Sequence, residues 1–315
     1  MKHERTHVIL NPASGGGRTG RNQAAILDAL AAALRKPFSV GVTHRPLEAA
    51  DMARTAVESG CGLIIAAGGD GTIQEVVNGF FRDGAVLNPA CRLGIISAGT
   101  GCGFAQSLGL PEDLDGQCRV LAGGRTRPLD VGRAEFTAPD GTTGRRYFVN
   151  ECQAGIGGDV VRAVGAAGKK LGGRAAFGLA TLAAAWRVPN RTVTAIVDGG
   201  PRRTGSFLGI IAANGPTMAG GMKLAPSADT GDGRFDILFM GAQSRLQRFR
   251  NFPKIYSGRH LDSPQFDLIR GAGLSLSSES EVPFEADGEL LGRLPCRIDM
   301  RPGAIRVNVA DPGKG

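Results

Sequence analysis

CGLIIAAGGDGTIQEVVNGFF, residues 61–81, decides the fold of the N-terminal part of this chain. Its first half is an apolar run short enough to be a strand buried on both faces, and it runs straight into Gly68, Gly69 and Gly71. A helix is expected from Thr72 to Phe81. Working outward, HVILNP (7–12) reads as a strand ending in a turn, and Asn22 to Leu34 as an alanine-rich helix with apolar residues at helical spacing. FSVGVTH (38–44) is the next strand and Leu47 to Ser59 the next helix. Downstream, RLGIIS (92–97) is a strand, followed by a glycine turn and a short helix before Gly109 and Pro111. This strand-helix alternation implies a parallel sheet with helices on both faces. Ligands of such sheets sit at the carboxyl ends of the strands.

After about residue 127 the texture changes. LDVGRAEF, RRYFVNECQ, RTVTAIVDG, FLGIIAANG, RFDILFM, FDLIRGAGLSLSS and EVPFEADGE read as strands joined by turns, with one alanine-rich helical stretch between Asp159 and Trp186. A mostly antiparallel, sandwich-like domain is expected there. The division is therefore an α/β domain over 1–127 and a β-rich domain over 128–297. Alternating apolar residues from Cys296 to Val309 leave open a return of 298–315 to the first domain.

Composition sets limits on the rest. Lys and Arg exceed Asp and Glu by 37 to 29, a net charge of +8 that favours anionic partners: nucleotides, nucleic acid or an acidic membrane surface. Aromatics at 5% and the lack of a recognition module speak against nucleic acid. Six cysteines are scattered without a C-x-x-C pair, which argues against a zinc site or a disulfide framework and fits a reducing cytoplasm. The apolar stretch near the N-terminus, Val8-Ile9-Leu10, is too short for a signal peptide, and Ala175 to Trp186 falls short of a membrane span.

Three glycine-rich turns, NPASGGGRTG (11–20), GGDGT (68–72) and AGTGCG (98–103), each follow an apolar strand. Backbone N–H groups at such turns present partial positive charge to phosphate oxygens, and three at one sheet edge can surround a polyphosphate. Ser14 and Arg18 add donors. None of the three matches G-x-x-x-x-G-K-[ST], and no dinucleotide fingerprint stands at a strand end. A carboxylate among such glycines, Asp70, repels phosphate unless a cation bridges them. It therefore points to magnesium or proton transfer, the alternative being a cap on the following helix.

AAGGDGTIQEVVNGF (66–80) resembles the G-G-D-G-T-x-x-E-V-x-N-G signature of the diacylglycerol kinase catalytic family, which includes sphingosine and ceramide kinases. NPASGGG, ISAGTGCGFAQSLGLP, LDVGR, VNECQAGIGGDVV, ANGPTMAGGMKLAPSADTGDGRFDILFM and FEADGE extend the likeness over essentially the whole chain. The resemblance implies a nucleotide-binding α/β domain like that of NAD kinase, a β-rich second domain, and ATP and substrate meeting in a cleft. It implies transfer of the ATP γ-phosphate to a lipid hydroxyl, diacylglycerol foremost. A sphingoid base, ceramide or NAD as acceptor, or a non-catalytic nucleotide-binding regulator, are the alternatives.

The resemblance also assigns residues. Asn11, Ser14, Gly68, Gly69, Gly71, Thr72, Gly99 and Thr100, with Thr43 a further candidate, would contact the nucleotide. Asp287 would be the base, with Glu289 and Asp70 organising Mg2+ and water around the phosphates; read without the resemblance, D-G-E is an ordinary hairpin turn. Within APSADTGDGRFDILFM (225–240), Asp232 and the carbonyls of Asp229 and Arg234 would hold a structural magnesium, against the reading of a solvated turn. Glu75 and Asn78 either line the cleft or tie their helix to its neighbours. Many relatives read G-T-x-N-D-F-A at the third turn, where this chain has Cys102 and Gly103 in place of Asn and Asp. Cys102 reads as a packing residue.

Peripheral contact with a membrane is expected through Gly165 to Val188 (Lys169, Lys170, Arg174, Leu171, Phe177, Leu179, Leu182, Trp186) and Ser244 to His260 (Arg245, Arg248, Arg250, Lys254, Arg259, Phe249, Phe252, Tyr256). Basic surface helices packing an apolar side on the core explain the same composition. A cytoplasmic protein, peripheral at the inner membrane face, follows from these expectations, and a homodimer stays open.

Overall fold

The computed structural model describes residues 4–97, 102–166 and 186–311. The chain forms two compact units: residues 1–130 with 302–315, and residues 131–301.

In the first unit, strands β1 (Thr6–Leu10), β2 (Ser39–Val42) and β3 (Leu63–Gly68) lie in a parallel sheet. A two-residue hairpin, β4 (Phe81–Arg82) with β5 (Ala85–Val86), precedes β6 (Arg92–Ser97). The sheet order is β6-β3-β1-β2, with every residue of β3 buried, as its apolar run requires. Alternate residues of the strands face one layer: Val8, Leu10, Leu63, Ile65, Ala67 and Ile96 pack with Ile26 and Leu30 of α2 (Gln23–Leu34) and Cys118 and Leu121 of α6 (Leu114–Gly123). α3 (Glu48–Glu58) and α4 (Asp70–Asn78) pack on each other. α4 begins at Asp70, two residues before the sequence expectation, and ends at Asn78 because Phe81 already belongs to β4. The glycine run 15–17 sits within α1 (Ser14–Arg21), where Gly15, Gly16 and Gly17 all have positive φ, a left-handed turn that side chains with a Cβ resist.

Among the described residues the strands of the second unit pair antiparallel. β7 (Thr126–Thr137), most of which lies in this unit, pairs with β8 (Thr143–Phe148). After β9 (Glu151–Gly155) come α7 (Ile156–Ala166), β10 (Arg191–Val197), β11 (Arg203–Ala213), β12 (Phe235–Gly241) and α8 (Arg245–Ile255). β13 (Phe266–Gly271), β14 (Gly273–Ser277), β15 (Pro283–Ala286) and β16 (Glu289–Asn308) complete it. β11 is shared along its length: its first half pairs with β10 and its second half with β9, which in turn pairs with β15. Phe136, Phe148, Phe207, Phe235, Phe239 and Phe284 lie in one core cluster, and Leu208, Ile211, Leu238 and Met240 belong to another.

Two expected strands are each broken by a carboxylate. RRYFVNECQ divides at Val149 and Asn150, whose N–H groups donate to Asp287 rather than to a strand partner. FDLIRGAGLSLSS divides at Ala272, whose N–H, with that of Gly273, donates to Asp198 Oδ1. The last seven residues of β16, 302–308, belong to the first unit, where Arg306 and Val307 pair in parallel with Arg92 and Leu93 of β6.

Candidate active site

The first unit gathers most of the residues assigned to the nucleotide along one edge. Parallel register places Leu10 opposite both Val42 and Ala67, and Gly68 opposite Ser97. Asn11, Thr43 and the Gly68–Thr72 turn therefore leave the sheet at the same carboxyl edge. Asn11 Nδ2 donates to Thr72 Oγ1 at 3.0 Å, and the Asn11 N–H donates to the Ala67 carbonyl at 3.0 Å, so the first and second glycine turns are bonded side by side. Ser14 Oγ donates back to the Asn11 carbonyl at 2.9 Å, which closes the first turn on itself. Thr43 is buried and its N–H donates to the Leu10 carbonyl. At Gly68 a Cβ would stand 2.5 Å from Thr72 Oγ1 and 2.7 Å from its Cβ, so glycine is what lets Thr72 fold back over the strand end. Gly69, by contrast, has open space where a Cβ would be. Gly69 and Gly71 flank the N-terminus of α4. Gly99 and Thr100 lie outside the described residues.

Asp70 does not cap the helix it begins. Its carboxylate accepts from Gly103 N–H at 3.0 Å and Phe104 N–H at 3.2 Å, the first two residues of α5 (Gly103–Ser107). Burial raises its pKa, against the pull of those two donors and of the Cys102 thiol. Asp70 thus ties the second glycine turn to the segment that follows the third. The replacements at 102 and 103 fit this arrangement. Gly103 contributes its main chain to Asp70, and Cys102 is buried with its thiol pushed up by burial and by the Asp70 charge, so it stays protonated and packs. Glu75 Oε2 accepts from Ala49 N–H at 3.2 Å in the first turn of α3, so it ties helix to helix. Asn78 donates to the Gln74 carbonyl in its own helix.

In the second unit, Asp287 is the centre of a main-chain cage. Its Oδ1 accepts from Asn150 N–H at 2.9 Å and Glu151 N–H at 3.0 Å, its Oδ2 from Val149 N–H at 2.9 Å, and its own N–H donates to the Glu151 carbonyl at 2.9 Å. Asp287 and Gly288 both have positive φ, the turn geometry that presents the carboxylate to the 149–151 main chain. Glu289 lies 3.9 Å from Arg146.

The sequence reading missed a second acidic pair beside this turn. Glu151 and Glu285 are both buried; Glu285 Oε2 accepts from Gly288 N–H at 2.9 Å, and Gln153, opposite Glu285 in the β9–β15 ladder, reaches Glu151 at 3.5 Å. Burial pushes the Glu285 carboxyl up, and the Asp287 charge adds to that, while the Gly288 N–H and the side chains of Gln153 and Glu151 oppose it. The only sequence signal was the alternation Glu285, Asp287, Glu289, which a hairpin face explains equally well. A carboxyl raised in the folded state contributes stability that is complete below its ordinary 4.5 and lost as pH rises through the folded value. Glu285→Gln, which cannot ionise, is accordingly expected to gain in Tm on the wild type between about pH 5 and about pH 9, by a few degrees. Thermal unfolding of both proteins across that range checks this, and parallel curves would remove the buried proton.

In the acidic loop 229–234 both aspartates have partners within the protein. Asp229 Oδ1 accepts from Gly231 N–H at 3.1 Å and Asp232 Oδ1 from Arg234 N–H at 3.0 Å, while Asp232 Oδ2 pairs with Arg270. Arg270 also holds buried Asp236 at 2.9 Å. Among the described residues no three His, Cys, Asp or Glu side chains cluster as metal ligands. The Asp232 carboxylate is thus committed to a guanidinium and a main-chain donor, and a cation there would depend on main-chain carbonyls.

The diacylglycerol kinase catalytic domain profile matches residues 5–134, and that of the YegS C-terminal NAD kinase beta sandwich-like domain matches residues 150–309, about half the chain. The chain belongs to the diacylglycerol kinase family. As such it is a phosphotransferase with an alcohol group as acceptor. The kinase is 29% identical over 268 residues to a YegS-like lipid kinase of Chromohalobacter salexigens, covering 85% of this chain and 82% of that one. It is 27% identical over 296 residues to the diacylglycerol kinase of Bacillus subtilis, covering 93% and 92%. Among solved structures, one described as a diacylglycerol kinase of Bacillus anthracis superposes with a TM-score of 0.78 at 25% identity, covering 99% of the kinase and 97% of that chain. Yeast NADH kinase shares the fold, with a TM-score of 0.53 at 12% identity over 98% and 84% of the two chains. The α/β domain and the β-rich domain expected from the sequence are thus the architecture of this family.

Proposed function

We propose that this kinase transfers the γ-phosphate of ATP to the hydroxyl of a membrane lipid, diacylglycerol being converted to phosphatidic acid. The observation that carries the nucleotide half of this reading is the Asn11–Thr72 bond, which sets two glycine turns side by side at one sheet edge. Main-chain N–H groups and the start of α4 suit phosphate oxygens there, with no lysine required. Magnesium would arrive with the triphosphate and neutralise its charge, Asp70 at the second glycine turn being the carboxylate of the first unit suited to the ion's waters. The lipid acceptor is supported by the kinds of relatives that match along both units.

The chemistry asks little of a base. The acceptor oxygen forms a bond to the γ-phosphorus as the bond to the β-bridging oxygen breaks, ADP leaves, and the hydroxyl proton passes to a carboxylate. A loose phosphoryl-transfer transition state leaves that proton in place until late, so a weak, well-oriented base suffices. Asp287, fixed by three main-chain donors, fits that role better than a mobile surface carboxylate would. The test is incubation of the purified protein with labelled ATP against diacylglycerol, monoacylglycerol, sphingoid bases, ceramide and NAD. Labelled phosphatidic acid is expected. Label in NADP would move the acceptor to a soluble nucleotide, and ATP binding with no product from any acceptor would leave a regulatory protein.

A further inference from the structure

α8 turns two polar residues inward beside the core-packed Ile255 and leaves two large apolar residues exposed on its other side. Arg248 and Asn251 are the buried residues of this helix. The Arg248 guanidinium donates to the carbonyls of Val188 and Gln243 and to Asn190 Oδ1, and Asn251 donates to Gln243 Oε1 and accepts from Ser263. A capping box at Ser244 and Gln247 starts the helix, so the orientation is fixed at its first turn as well as along its inner face. Leu246 and Phe249, three residues apart on the other side, are 62% and 54% exposed. Trp186 stands at 49% exposure with the Arg245 guanidinium 5.6 Å from its ring centroid. Tyr256, just past the helix, is exposed too. A surface helix that joins a core ordinarily turns residues such as Leu246 and Phe249 inward.

The charge carried by the chain from Gly241 to Leu261 has one sign. Arg245, Arg250, Lys254 and Arg259 are exposed, and no Asp or Glu occurs between Gly241 and Leu261. The nearest acid in sequence beyond that stretch, Asp262, lies 3.7 Å from Arg259. Exposed leucine, phenylalanine and tryptophan ringed by cations match an interface in which acyl chains lie beneath anionic headgroups. A second copy of the chain would bring these cations against their own kind, which disfavours a two-fold dimer through this face. Nucleic acid would meet the arginines and leave Leu246 and Phe249 without a counterpart.

We propose that the outer face of α8, with Trp186, is a docking surface for an anionic lipid bilayer. It extends the lipid-kinase reading but does not depend on turnover for its test. Trp186 is the single tryptophan of the chain, so its emission reports this face alone. With vesicles of phosphatidylglycerol and phosphatidylcholine, Trp186 emission is expected to shift to the blue and to be quenched by brominated acyl chains, and the protein to sediment with the vesicles. Leu246→Ser with Phe249→Ser should weaken sedimentation about tenfold or more while the Trp186 side chain stays in place. Arg245→Glu with Arg250→Glu should weaken it roughly fivefold or more per cation and abolish its salt dependence. Neither pair touches Asp70 or Asp287, so a water-soluble short-chain diacylglycerol should be phosphorylated at the wild-type rate. Unchanged Trp186 emission on vesicle addition would overturn the proposal, as would undiminished sedimentation of the Leu246 and Phe249 variant. Binding to heparin or DNA but not to vesicles, or concentration-dependent dimerisation lost in the same variant, would replace the bilayer with those partners.

Discussion

Asp287→Asn is expected to fold and to lose phosphoryl transfer by a factor of about 10²–10⁴, the range that a positioned general base contributes. Asparagine tolerates the left-handed backbone that Asp287 adopts at φ +47. Its amide oxygen can keep the Asn150 and Glu151 donors, while its NH2 group would face the Val149 N–H where Oδ2 now accepts. The cost of that one mismatch is about 1–3 kcal/mol, and for a domain of this size a Tm loss of several degrees. Asp287→Ala strands all three donors and is expected to cost about 3–5 kcal/mol, since bonds to a charged group are individually stronger but do not add in full. Initial rates and thermal unfolding of the two variants separate the roles. Wild-type kcat in Asp287→Asn would mean that this carboxylate builds the turn and does nothing to the acceptor proton.

The second large effect is expected at Asp70. Asp70→Ala removes the acceptor for Gly103 and Phe104 N–H, and these lie at the start of a helix of one and a half turns. The expected outcome is a stability loss of about 2–4 kcal/mol with turnover reduced by about 10²-fold or more. Asp70→Asn should restore much of the stability through its remaining oxygen and little of the turnover, because an amide neither attracts a cation nor carries charge. Titration of ATP against both variants, with and without magnesium, distinguishes the two contributions. If Asp70→Asn binds and turns over Mg-ATP like the wild type, the carboxylate serves α5 alone.

The fold was readable because its decisive segments have one interpretation. An apolar run of strand length ending in glycines cannot continue as a helix, and its repetition along the first hundred residues dictates a parallel sheet. The placement of Asn11, Gly68 and Thr72 side by side at strand ends was readable to the same depth. What stayed hidden depends on contacts remote in sequence. Nothing in FEADGE says that Glu285 is buried against Glu151, more than 130 residues away, while Asp287 turns to the same β9 main chain. Glu75 could not be placed until α3 was seen to offer Ala49 N–H to it. For α8, composition allowed either face to be inward. The inward placement of Arg248 was decided by Gln243, Asn190 and Val188, which receive its guanidinium.

The return of residues 302–308 to the first unit bears on how the protein is made. Synthesis proceeds from the N-terminus, and β1, β2, β3 and β6 are available once about a third of the chain has emerged. The flank of β6 that pairs with Arg306 and Val307 must then wait, through the synthesis of the whole second unit, for those two residues to leave the ribosome. Throughout elongation that flank is a bare strand edge able to recruit another nascent chain. The domain begun first is therefore completed only after the second has been made, and a polypeptide terminated at the border near residue 130 would retain that adhesive edge permanently.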